Sequence, residues 1–107
     1  MFSPYLFNSK VDSIVHLFTY QYFTYMYQRS EERMRIARNI RLIRELRNFD
    51  QRYVASELEV GRSTLSTWEN GLTEVKIETL IKLAVILKLE NYRQIIDFDP
   101  DSLFSNK

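Results

Sequence analysis

Between Ile36 and Leu46 the chain places apolar side chains at Ile36, Ile40, Ile43 and Leu46, with Ala37 and Leu42 beside them. This 3.6-residue stripe predicts a helix from about Glu32 to Arg47. The arginines at 35, 38, 41, 44 and 47 stand three apart, so they wind backwards around that helix and most belong to its solvated surface. Asn48 tolerates the left-handed conformation that ends a helix. Asp50 is a suitable N-cap for a second helix starting at Gln51.

From Gln51 to Gly71 the pattern changes scale. Apolar or small residues at Val54, Ala55, Leu58, Val60, Leu65 and Trp68 predict two short helices packed across each other, joined by the turn Glu59-Val60-Gly61. Ala55 falls where the two helices come closest, and anything larger than a methyl there would push them apart. Arg62, Ser63, Thr64 and Thr67 remain polar on the outer face of the second of these helices, the face to aim at a partner.

After a loop from Leu72 to Lys76, the residues Ile77, Leu80, Ile81, Leu83, Ala84, Ile86 and Leu87 predict a strongly apolar fourth helix ending near Lys88, with a core role. A shorter fifth helix, about Tyr92 to Asp97 with Asn91 as its cap, adds Ile95 and Ile96. The remainder, with Pro100 among acidic residues, reads as an extended tail carrying Leu103 and Phe104 as a docking pair.

The first 33 residues differ in character, holding nine of the fifteen aromatics. His16 to Tyr27 alternates aromatic and polar residues as a strand does, yet Phe18, Tyr22 and Tyr25 also share a helix face, and both readings stand. Thr, Gln and Asp interrupt any membrane span, and no basic residues precede a continuous apolar run as in a secretory signal. Met26 and Met34 offer later translation starts, the second at the point where the patterned sequence begins. The boundaries expected are therefore 1–33 for an extension, 34–97 for the working domain and 98–107 for a tail.

Composition adds exclusions. A chain of 107 residues without cysteine has no disulfide, thiolate nucleophile or cysteine metal site, and fits a reducing, cytoplasmic setting. One histidine removes any multi-histidine metal site. No carboxylate–histidine, metal-ligand or phosphate-loop constellation occurs at a usable spacing, so neither an enzyme nor a bound cofactor is expected. The formal net charge of +1 hides a gradient. Seven arginines from Arg35 to Arg62 face only Glu45, Asp50, Glu57 and Glu59, while acidic residues prevail from Ser63 onward, which suits a polyanion bound on one side.

Five short helices with a helix-turn-helix at the second and third resemble the DNA-binding domains of the Cro and phage-repressor family, also called the xenobiotic-response-element family. The resemblance covers Ile40 to about Ile96. It rests on Ile40, Arg41, Ile43 and Arg44 before a helix break, Gln51 opening the next helix, Val54, Ala55 and Leu58, then RSTLSTWENG from Arg62 to Gly71, then IETLIKLA from Ile77 to Ala84. It implies an all-α fold, a five-helix lambda-repressor-like DNA-binding domain with an aromatic-rich N-terminal extension. It further implies that the helix starting near Arg62 enters the major groove, with Arg62, Ser63, Thr64 and Thr67 at base edges and Gln51, Asn70 and Arg44 at the backbone. Arg44 matches the arginine that pairs with a glutamate, here Glu69, and Ala55, Leu58, Leu65 and Trp68 are structural, the indole bridging the second, third and fourth helices.

Four departures bear on function. Glu59 stands where relatives have glycine, and Gly61 where they have a serine or threonine cap. Asp50 and Glu74 stand where relatives approach phosphates, so each repels the backbone unless it serves as an internal cap. The function implied is a sequence-specific transcriptional regulator, a repressor binding double-stranded DNA as a homodimer on an inverted repeat. The competing reading is an antitoxin or interaction module that holds a protein partner through its aromatic N-terminus or the Leu103-Phe104 pair, with DNA secondary.

Overall fold

A computed structural model describes residues 9–99 and 101 and contains five helices: α1 Ser9–Leu46, α2 Gln51–Leu58, α3 Arg62–Glu69, α4 Ile77–Ile86 and α5 Arg93–Ile96. No strand occurs among the described residues. The chain falls into two units, Met1–Glu31 and Glu32–Lys107.

The largest difference from the sequence-based expectation is α1, which begins at Ser9 instead of near Glu32. His16 to Tyr27 is helical, which settles the open choice between strand and helix. The reason lies in what the stretch lacks: no glycine or proline occurs between Pro4 and Gly61, so nothing interrupts the helix before Asn48. Leu103 and Phe104 lie outside the described residues.

In the second unit the stripe at Ile40 and Ile43 is buried against Val54, Ala55 and Leu58 of α2, Leu65 of α3, Leu80, Leu83 and Ala84 of α4, then Leu87 and Ile95. Ala55 is 2% exposed, as the close-approach argument requires. Trp68 is half-buried and packs against this core. Ile77 and Ile81, expected in the core, are exposed; α4 is apolar on nearly every side, so periodicity could not choose its inner face.

All four longer helices end the same way. A residue two or three past each end donates its N–H to the carbonyl five back: Phe49 to Arg44, Val60 to Ala55, Leu72 to Thr67 and Leu89 to Ala84. The residue before it is left-handed in every case: Asn48 (φ 61°), Glu59 (φ 59°), Gly71 (φ 70°) and Lys88 (φ 61°). This is the Schellman motif, which satisfies carbonyls that would otherwise be orphaned. Only one of the four is glycine. Gly71 also needs to be, because a Cβ there would run into the Met34 thioether and meet the Cβ of Ala37 at 3.6 Å.

Arginines from α1 and from the turn just after it reinforce these ends. Arg33 Nε donates to Gly71 O at 3.0 Å, and Arg47 donates from Nε to Leu87 O at 2.9 Å and from Nη2 to Lys88 O at 3.0 Å. Positive side chains beside C-terminal carbonyls also complement the helix dipole. Asn39 Nδ2 donates to Ile95 O at 2.7 Å and fixes α5 to the same helix.

Candidate nucleic-acid interface

The interface is built on α2 and α3. Asp50 caps α2, its Oδ1 accepting from the Tyr53 N–H at 2.7 Å, so this carboxylate is used internally. Phe49, just outside the cap, packs against the core in which Val54 lies, and this fixes the angle at which the chain enters α2. Gly61 caps α3 with no side-chain hydrogen bond; its carbonyl accepts from Thr64 and Leu65. Glu59 adopts the left-handed turn despite its side chain, with the chain then extended at Gly61 (φ −71°).

Leu65 and Glu69 face inward and hold α3, while Arg62, Ser63 and Thr64 at its start are exposed and Thr67 is half-buried. The Thr67 hydroxyl donates to Ser63 O at 2.9 Å, which fixes its rotamer. Asn70 is exposed after α3, with Nδ2 donating to Ser66 Oγ at 3.3 Å.

Beneath this face lies a connected polar network. Arg44 donates from Nε to Glu69 Oε2 at 2.6 Å and from Nη2 to Glu69 Oε1 at 3.0 Å, a two-pronged pairing in which the residues are 8% and 5% exposed. A third donation runs from Arg44 Nη1 to Phe49 O at 2.8 Å. The bond to Glu69 pushes the Arg44 pKa up against the opposing effect of burial, with the charges of Glu69, Glu45 and Asp50 acting in the same direction as the bond. Gln51 Nε2 donates to Glu69 Oε1 at 3.0 Å, and Arg62 Nε donates to Gln51 Oε1 at 3.4 Å. No buried side-chain donor or acceptor is left without a partner among the described residues.

The structure thus brings Arg44, Gln51, Arg62, Glu69 and Asn70 around one recess, with Ser63, Thr64 and Thr67 along the adjoining helix. Arg41 and Arg52 line the same recess and were not singled out for it by sequence; Arg41 pairs with Glu45 at 3.4 Å. Arg41 lies near the C-terminal end of α1 and Arg52 at the second position of α2, so no spacing rule joins them. Arg44 is drawn inward, and all three of its nitrogens donate to protein acceptors. Gln51 spends both ends of its amide on Glu69 and Arg62. Glu74 is exposed in the loop after α3.

Among the described residues no three carboxylate, histidine or cysteine side chains are grouped where they could hold a metal ion. No helix there is long and apolar enough to cross a membrane. A comparison with curated proteins finds no match. A helix-turn-helix family model matches residues 40–90, from the core stripe of α1 through α4. This span of the chain belongs to the helix-turn-helix family of the Cro and phage-repressor type, and the protein is accordingly a DNA-binding transcription regulator.

Proposed function

We propose that the protein is a repressor that binds an inverted repeat as a symmetric dimer and inserts the start of α3 into the major groove, with Arg62 as the principal base contact. The observation that carries this reading is the state of Arg62: its residue is exposed at the first position of α3, and its Nε is tied back to Gln51. Among the described residues no hydrogen bond holds its two Nη groups, so the guanidinium presents two parallel donors, the match for guanine O6 and N7. Ser63, Thr64 and Thr67 follow along the same edge. Arg41 and Arg52, with Gln51 and Asn70, flank the recess where phosphates would lie. Glu69 stands behind this surface: it fixes Gln51, Gln51 orients Arg62, and Arg44 neutralises Glu69. Arg44 therefore acts on DNA through the side chains it positions.

One eight-residue helix spans too few base pairs to be selective, and two copies on a palindrome supply the rest. The test is a binding titration of the wild-type protein and Arg62→Ala on a site selected from random DNA. Loss of a bidentate guanine contact worth about 1–3 kcal/mol weakens binding roughly 5- to 150-fold and removes the preference for guanine at one position of each half-site. Unchanged affinity with unchanged preference removes Arg62 from the reading role.

A further inference from the structure

We propose that residues 11–29 of α1 pair with the same segment of a second copy of this chain, as an antiparallel two-helix seam. This deepens the dimeric reading above by naming the surface that makes the dimer, and its test needs no DNA.

The segment carries Val11, Val15, Phe18, Tyr22 and Tyr25 at alternating steps of four and three residues, and Arg29 occupies the next step of four. A step pattern averaging 3.5 residues keeps one stripe of a helix facing a partner helix along its whole length. All five apolar members are exposed in the single chain, the aromatics Phe18, Tyr22 and Tyr25 at 66%, 60% and 53%. Ile14 and Met26 flank the stripe and are exposed as well. Side chains of this kind, contiguous and open to water, mark an association surface.

Two arguments select a second copy in antiparallel register. The first is shape. Reversal about the middle of the stripe sets Phe18 against Tyr22 and Val15 against Tyr25, so each layer combines unequal side chains and the surface complements itself about a two-fold axis. A parallel pairing would set tyrosine on tyrosine and valine on valine. The second is charge. Reversal sets Arg29 beside Val11 and Asp12 of the other copy, an attractive pairing at both ends, whereas a parallel pairing sets Arg29 against Arg29. Within its own chain Arg29 donates to the Tyr25 hydroxyl at 3.0 Å and lies 5.8 Å from the centre of that ring, which leans its guanidinium along the stripe.

The area is adequate. The six aromatic rings of the two copies supply on the order of 600–900 Å², and the flanking aliphatic side chains carry the total past the about 1,000 Å² that a specific interface needs. The opposite side of the helix, with Tyr20, Phe23 and Tyr27, has no such charge partner and is not assigned to the seam.

The experiment is light scattering on the full-length chain without DNA, for the wild type, Phe18→Glu/Tyr22→Glu, Arg29→Asp and Asp12→Arg/Arg29→Asp. The wild type is expected to have the mass of a dimer. Phe18→Glu/Tyr22→Glu weakens the dimer more than about 100-fold, to a monomer. Trp68, the single tryptophan, reports in its fluorescence unfolding curve that the helix-turn-helix unit remains folded. Arg29→Asp weakens the dimer, and adding Asp12→Arg restores it. A monomeric wild type overturns the proposal, as does a dimer that survives Phe18→Glu/Tyr22→Glu or a charge exchange that fails to restore it.

Discussion

Glu69→Ala is the most demanding perturbation of the network beneath the proposed DNA face. The substitution removes the acceptor of two Arg44 donations and of the Gln51 amide at one stroke. Arg44 keeps only its bond to the Phe49 carbonyl, and its guanidinium remains at a position where the residue is 8% exposed. An exposed ion pair contributes under about 1 kcal/mol, but stranding one member of a buried pair costs about 3–5 kcal/mol. The side chains here are 10% and 2% exposed, so the second regime applies. A domain of this size has about 4–10 kcal/mol to lose in all, and each kcal/mol corresponds to about 4–8 °C of melting temperature. Glu69→Ala should therefore lower the melting temperature by more than about 12 °C, read by Trp68 fluorescence. Arg44→Met/Glu69→Leu, which removes both charges, should recover a large part of the loss. The Arg44 pKa is raised on folding, so its share of stability is fully present below the ordinary arginine value and is lost only as pH rises through the still higher folded value. The cost of Glu69→Ala through this group is thus constant across the neutral range. A cost below about 1 kcal/mol would mean that the pair behaves as an exposed one, and the positioning argument for Gln51 and Arg62 would fall with it.

Two further substitutions test the helix ends. Glu59→Gly relieves about 1–2 kcal/mol of left-handed strain against about 0.5–1 kcal/mol of added chain entropy, so urea unfolding should show a small net gain; a loss refutes the strain at φ 59°. Gly71→Ala should cost at least about 1–2 kcal/mol from its positive φ alone, with the contact to Met34 adding to it, and a neutral result in the same assay contradicts the close approach of that loop to α1.

The elements that sequence located most closely are those with two independent signals. The start of α2 combined an N-cap residue, Asp50, with the apolar positions Val54, Ala55 and Leu58, and Gln51 is indeed its first residue. The end of α1 was legible because Asn48 tolerates the left-handed region. The end of α4 was expected near Lys88, two residues past the observed Ile86, because lysine gives no hint that it will adopt φ 61°. Context imposes it: the Leu89 N–H reaches the Ala84 carbonyl, and Arg47 takes the last carbonyls. The long N-terminal part of α1 was hidden by its aromatics, which satisfy a period of two as well as a helical one. The absence of glycine and proline was the better guide there.

At the interface, the pairing of Arg44 with Glu69 came from resemblance, and the exposed edge of α3 from its polar pattern. The relay from Arg44 through Glu69 and Gln51 to Arg62 joins residues 25, 18 and 11 positions apart, and no spacing rule announces it. The inward turn of Ile40 and Ile43 was predictable, whereas the outward turn of Ile77 and Ile81 depended on which side of α4 met α2.

Chemical protection of a selected operator tests the central claim most directly. Dimethyl sulfate modifies guanine N7 in the major groove and adenine N3 in the minor groove, the two atoms that distinguish where α3 lies. The account predicts that wild-type protein shields one guanine N7 in each half-site, symmetrically about the centre, and that Arg62→Ala exposes those two positions while protein remains bound at higher concentration. Shielding confined to adenine N3, or guanine protection that Arg62→Ala leaves intact, would contradict it.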